Sequence, residues 1–349
     1  MDSIERTEAR ALARGRPGRV STRTPSCESL LVAITINGVS LQDEGQPTHG
    51  ARSLLSAGEV VRALLAKNIG NLVQFDPVAR DGRDPEGVHQ LRVSARRLRS
   101  ELHVVAPVVK RQSLAELDSG LHWLGSTLGR QRDLDVLDEL LQKVCGDHPS
   151  LKSTAALKQL RRQRTSEQRR VTKDLGSKRY RDLFDLLDDA RREPPLRRLA
   201  AQPAYGVLMP GLRAAYANLI RNVSEIGLTP NNEDLHRIRI MVKQCRYTTT
   251  IASAFLGDDA TQAASALAQV QTVLGDVHDR VVAVEYLEGA LAATATATPP
   301  GTDAASIRAA IEWLNRSQEK LSTQWRGPLE EARKKSQRFL HVRSAPTSR

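Results

Sequence analysis

Val-His-Gln-Leu-Arg-Val-Ser-Ala-Arg-Arg-Leu-Arg at positions 88–99 aligns without a gap on Leu-His-Arg-Ile-Arg-Ile-Met-Val-Lys-Gln-Cys-Arg at 235–246. His89 matches His236, Arg92 matches Arg239, Arg96 matches Lys243 and Arg99 matches Arg246. Further on in each copy, Leu128-Gly129-Arg130-Gln131-Arg132-Asp133 matches Leu274-Gly275-Asp276-Val277-His278-Asp279. Two motifs in the same order point to a duplicated unit, and self-similarity of this kind outranks any local reading of the chain.

Both copies have helical periodicity. At about 100° per residue, Val88, Leu91, Ala95, Leu98 and Leu102 share one stripe, as do Leu235, Ile238, Val242, Cys245 and Thr249. His89, Arg92, Arg96 and Arg99 share a second stripe displaced by roughly 100° from the first, so they flank a core instead of pointing straight to solvent. Arg97 takes the position opposite the core. One charged helix is ordinarily a solvated face; a basic flank repeated with its histidine reads as the lining of a groove. The run from Lys152 to Arg181 adds 11 basic residues against Glu167 and Asp174, and is expected to widen the same positive surface, with Arg162 and Arg169 among its contacts.

The rest of the chain is consistent with an all-α protein. Val60, Val61, Leu64, Leu65, Ile69, Leu72 and Val73 recur at helical spacing. Asp84-Pro85 is a helix start with an acidic N-cap, and Asn231 or Asn232 caps another in the same way. Breakers are expected at Gly129, Gly146-Asp147, Pro194-Pro195, Pro203, Gly227, Gly257 and Gly275. Residues 1–55, rich in Arg, Gly, Pro, Ser and Thr with one short strand at 30–36, read as a flexible leader. Residues 56–200 and 201–341 are the two helical halves, 342–349 a disordered tail, and the Ala-Thr run ending at Pro299-Pro300-Gly301 a surface linker.

Composition narrows the function. The 349 residues hold 52 Lys+Arg against 40 Asp+Glu, a net charge of +12, and 41 of the basic residues are Arg. That bias suits forked recognition of oxyanions and makes acidic polymers the first partners to consider. Aromatics are 3% of the chain, too few to build stacking shelves for unpaired bases. Three cysteines without a CxxC pair fit a reducing compartment, and no apolar run reaches membrane-spanning length, so a cytoplasmic protein with no membrane partner is expected. His89, His122, His236 and His278 lack the Cys or carboxylate companions of a metal site, so neither metal nor cofactor is expected. Asp133 and Asp279 are read as caps of following helices or as partners of a nearby Arg. No Gly-Lys pair exists, which removes a phosphate-binding loop of the Walker type.

These motifs resemble the CHAD domain, the conserved histidine α-helical domain family. The resemblance covers roughly 56–340 and rests on VHQLRVSARRLR with LGRQRDLDVL, then LHRIRIMVKQCRY with LGDVHDRVV. It implies two pseudo-symmetric helical bundles with a basic groove between them, non-catalytic binding of inorganic polyphosphate, and association with polyphosphate granules. Carried over by motif, the contacts are His89, Arg92, Arg96, Arg99, His236, Arg239, Lys243 and Arg246, with Arg132 and His278 from the second motif. The second copy departs at Gln244, where the first has Arg97, and at Lys243. Residues 56–200 carry more net positive charge than 201–349, so the first half is expected to contribute more binding charge. The catalytic Glu-x-Glu-x-Lys of the CYTH domain that accompanies many relatives is absent, as no Glu-x-Glu occurs. The alternatives are a nucleic-acid-binding protein and a phosphohydrolase acting on acidic polymers.

Overall fold

The computed structural model describes residues 55–82, 84–227, 230–295 and 303–340, and among them every named element is helical. The expected leader strand at 30–36, the linker ending at Gly301 and the tail from 342 lie outside the described residues. Helix α1 (Ala57–Asp81) starts on a capping box: Ser56 Oγ accepts from the Glu59 amide at 3.2 Å, and Glu59 Oε2 accepts from the Ser56 amide at 2.8 Å. Helix α2 (Pro85–Val104) starts where expected, with Asp84 accepting from the Glu86 amide at 2.8 Å. Helix α7 (Asn232–Leu256) is capped by Asn231, whose side chain accepts from the Asp234 amide at 2.8 Å.

The remaining helices are α3 (Arg111–Asp147), α4 (Ala155–Leu175), α5 (Lys178–Arg192), α6 (Ala204–Glu225), α8 (Asp258–Ala295), α9 (Asp303–Leu321) and α10 (Arg326–Leu340). Two expected breakers do not break anything. Gly129 lies inside the 37-residue α3 and Gly275 inside the 38-residue α8. A single glycine costs a helix only about 1 kcal/mol, which the packing of so long a helix outweighs. Gly257 does end α7, in a positive-φ conformation (φ 78°) that a side chain would strain.

The two halves are built alike. In the first, α1 packs on α2, α2 on α3, and α3 on α4 and α5; in the second, α6 packs on α7, α7 on α8, and α8 on α9 and α10. Across the middle, α2 meets α7 and α3 meets α8. The main apolar core runs through both halves, from Leu65, Leu91 and Leu98 to Ile238, Val242 and Leu267. A second core gathers the far ends of α3 and α8 with α4 and α9 around Leu141, Leu157, Leu287 and Leu314. Two positions depart from the helical-wheel expectation. Val73 is 54% exposed, and Arg97 turns back to the buried Glu101 (Nε to Oε1 2.8 Å), which also accepts from Asn68 at 2.7 Å.

Gly87 sets how closely α1 and α2 cross. A Cβ there would lie 2.7 Å from the Ala79 amide nitrogen and 2.7 Å from the Val78 carbonyl carbon, both backbone atoms that cannot rotate away. Gly87→Ala is therefore expected to destabilise the fold by about 1–3 kcal/mol, the usual range for overpacking. Thermal unfolding followed by circular dichroism checks this; an unchanged midpoint would mean that the crossing is loose.

Candidate functional site

The second stripe of α2 and that of α7 converge because these two helices pack against each other. Arg92 and Arg96 on α2 lie within mutual electrostatic reach of Arg239 and Lys243 on α7, and Arg246 joins them one turn further on. Arg132 on α3 reaches His89, and His278 on α8 reaches both Arg239 and His236, the two imidazoles standing 5.5 Å apart between centroids. The structure thus gathers nine of the expected site residues: His89, Arg92, Arg96, Arg132 and the four of the second motif helix with His278.

Gly125 and Gly129 of α3 lie beside two of these arginines. A Cβ at Gly125 would lie 3.7 Å from Arg96 Cγ, and one at Gly129 3.9 Å from Arg92 Nε. The glycine that looked like a breaker thus lies beside the Arg92 guanidinium, at a distance where a Cβ would make only ordinary contact. The second motif's Asp133 accepts from Arg92 Nη2 at 3.0 Å, and Glu139 accepts from Arg132 Nη1 at 3.0 Å. Asp133 and Asp279 both lie mid-helix, so neither caps a following helix; Asp133 pairs with Arg92, and Asp279 lies near Arg239. Tyr247 was not legible as part of the site: its buried ring lies 4.6 Å from the Arg246 guanidinium and 5.9 Å from Lys243 Nζ, a cation–π seat.

Three expected residues fall elsewhere. Arg99 is held on Asp118 (Nε to Oδ1 2.8 Å, Nη2 to Oδ2 3.3 Å), which also takes His103 at 2.8 Å. Arg162 and Arg169 are exposed on α4 and do not join the cluster. Helix α4 packs on the face of α3 that carries Thr127, Asp135 and Asp138, whereas Gly125, Gly129 and Arg132 occupy a face about 130° away by helical geometry. The long basic run therefore does not widen the groove, because α3 stands between them.

The cluster is short of counter-charge. Among the described residues, Arg96, Arg239, Lys243 and Arg246 have no carboxylate within ion-pair distance. The buried Nε atoms of Arg92, Arg239 and Arg246 and the Nδ1 of His89 have no hydrogen-bond partner. Burial, with repulsion from Arg96, Arg239, Arg246 and Arg92, brings the Lys243 ammonium down to about 8. Burial and then Arg132 lower His89; burial and then Arg239 lower His278. Burial likewise lowers Arg92 and Arg239, and raises the Asp279 carboxyl. The shifts of the cationic groups mark positive charge held at a cost that a multiply charged anion would relieve. Among the described residues, the cluster lines none of three cavities of about 270, 340 and 410 Å³ found elsewhere in the fold. Its cations are half-buried, with His236 exposed beside them.

Comparison with known proteins places this geometry in context. The CHAD domain family model matches residues 63–288. Two uncharacterized proteins of Mycobacterium tuberculosis, from strains CDC 1551 / Oshkosh and ATCC 25618 / H37Rv, are 30% identical over 241 residues. That stretch is 65% of this chain and 44% of each relative, so the chain matches less than half the length of these relatives. Among solved structures, PptA from Streptomyces chartreusis superposes with a TM-score of 0.59 at 19% identity, covering 80% of this chain and 99% of that one. The CHAD domain from the plant Ricinus communis gives 0.58 at 22%, covering 85% and 96%. At these identities the superpositions establish the fold. Among the described residues, no helix is long and apolar enough to cross a membrane.

Proposed function

Because the chain belongs to the CHAD domain family, we propose that it binds inorganic polyphosphate, without chemical change to it, on the cationic cluster shared by α2, α3, α7 and α8. The observation that carries this reading is the convergence of Arg92, Arg96, Arg239, Lys243 and Arg246 with buried N–H groups left unpartnered. Polyphosphate offers about one charge per internal phosphate and a continuous row of acceptor oxygens, with neither base nor sugar. Forked guanidinium donors suit those oxygens, and no aromatic shelf is needed. Association with polyphosphate granules follows as the setting in which such a binder acts.

The test is binding of long-chain polyphosphate to the full chain across a salt series, with duplex DNA as competitor. Neutralising about five phosphates releases condensed cations, so the logarithm of the affinity is expected to fall against that of salt with a slope of about −3 to −4, by analogy with single-stranded nucleic acids. DNA at equal phosphate concentration is expected to displace little. Easy displacement by DNA would favour a nucleic-acid-binding protein, and steady phosphate release with a divalent metal present would revive a phosphohydrolase.

A further inference from the structure

The outward face of α4 carries charge that the cluster does not explain. Lys158, Arg162, Arg169 and Lys173 fall within about 60° of one another around the helix and span about 22 Å along it. All four are exposed, and among the described residues none has a carboxylate or hydrogen-bond partner. The two acids of this helix are already engaged: Glu167 and Asp174 both pair with Arg170. Arg164 and Arg170 point the other way, to Asp135 and Asp138 and to the Thr127 carbonyl at 2.9 Å. Of the helix's seven cations, Arg164 and Arg170 are paired toward α3, Arg161 lines the adjoining cavity with Arg164 and Asp135, and the other four stand unneutralised on the far side.

We propose that this stripe is a second polyphosphate-binding surface, separate from the cluster, which makes the protein bivalent and able to hold two polyphosphate chains at once. The inference rests on the reading that the cluster binds polyphosphate. The two surfaces meet different faces of α3, so a chain seated on the cluster leaves the stripe free for another. The occupant is identified by what the stripe offers. It is a straight row of point charges and guanidinium forks with no Phe, Trp or Tyr anywhere in Ala155–Leu175 for a base to stack on, and no apolar strip for insertion into a lipid surface. A flexible polymer of phosphates without bases fits that row. Bivalency then turns a binder into a cross-linker, since each protein joins chains that would otherwise stay separate.

The experiment captures the full chain on surface-tethered polyphosphate, washes, and adds a second polyphosphate chain carrying a fluorescent label. Wild type is expected to retain the second chain. Lys158→Gln/Arg162→Gln/Arg169→Gln/Lys173→Gln, which keeps good helix formers at exposed sites, is expected to load onto the tether as wild type does and to capture at least about tenfold less of the second chain. Equal second-chain capture by this variant would overturn the proposal, as would wild type that loads onto the tether but captures no second chain. Wild type that fails to load at all would instead sink the cluster reading. Labelled duplex DNA captured in preference to labelled polyphosphate at equal phosphate concentration would overturn the choice of occupant.

Discussion

Arg92→Ala/Arg239→Ala is expected to bind long-chain polyphosphate at least about 100-fold more weakly than wild type at low salt. Each guanidinium offers charge-assisted hydrogen bonds of about 1.5–3 kcal/mol to phosphate oxygens, and about 1.4 kcal/mol is a factor of ten in affinity. The salt slope should also flatten, by about 0.7 for each phosphate contact removed. These two residues are chosen because they sit face to face across the α2–α7 contact, and because both carry buried Nε atoms without a partner. The fold should survive, since the double variant removes like charges from beside Lys243; a thermal melt no lower than that of wild type checks it. Arg99→Ala is the informative contrast. Its guanidinium is already held on Asp118, so less than about a threefold loss is expected although the residue shares the motif. Equal binding by the double variant and wild type would mean a diffuse electrostatic surface with no focus at the cluster.

The affinity for polyphosphate is expected to fall as pH rises from 6 to 9, by about 30-fold or more. In the free protein His89, His278 and Lys243 are all held below their ordinary values, burial being the first cause in each and the neighbouring Arg or His residues the next. A phosphate chain laid on the cluster reverses the sign of the local field and raises all three, so binding takes up protons. Linkage then weakens binding with rising pH, by up to about tenfold per unit for each proton taken up. The histidines act in the window below their ordinary 6.5 and up to their ligand-bound values, and Lys243 acts around and above 8. Asp279, raised by burial, adds to the same direction at the acid end.

The stability of the free protein should move the opposite way. For these lowered cationic groups the unfolded chain binds more protons, so their unfavourable contribution is complete below the folded value and gone above the unfolded one. For Lys243 that means a penalty present in full below about 8 and lifted toward 10.5. For the histidines it means stability lost as pH falls through 6.5. Calorimetric titration at pH 7 in two buffers of different ionisation heat counts the protons directly. An affinity indifferent to pH, with no proton uptake, would show that the ligand does not contact the histidine side of the cluster.

Much of the fold was legible because its signals are local. Asp84 with Pro85 and Asn231 are helix starts written in one or two residues, and the structure uses both of them. The apolar stripes of α2 and α7 were likewise readable from spacing alone, and Leu91, Leu98, Ile238 and Val242 are all buried. Gly129 and Gly275 were misread because a glycine's role depends on what lies beside it. In the 37-residue α3, flanking packing keeps the helix continuous, and the Arg92 guanidinium lies alongside Gly129. Gly87, whose absent Cβ lets α1 and α2 cross closely, carried no signal in the sequence, since the atoms it avoids belong to another helix.

The same division runs through the site. The sequence by itself determined that the chain is helical, that a His/Arg stripe is repeated beside an apolar stripe, and that the net charge suits an acidic polymer, because periodicity, capping and composition are properties of short segments and of totals. Only the tertiary structure decided which cations act together. The α2–α7 contact sets Arg92 and Arg96 against Arg239 and Lys243; Asp118, 19 residues from Arg99, withdraws that side chain from the cluster. The thickness of α3 puts Arg162 and Arg169 on another surface altogether. Charges act through space over distances of a few ångströms, and which charges come that close is settled by how the helices pack.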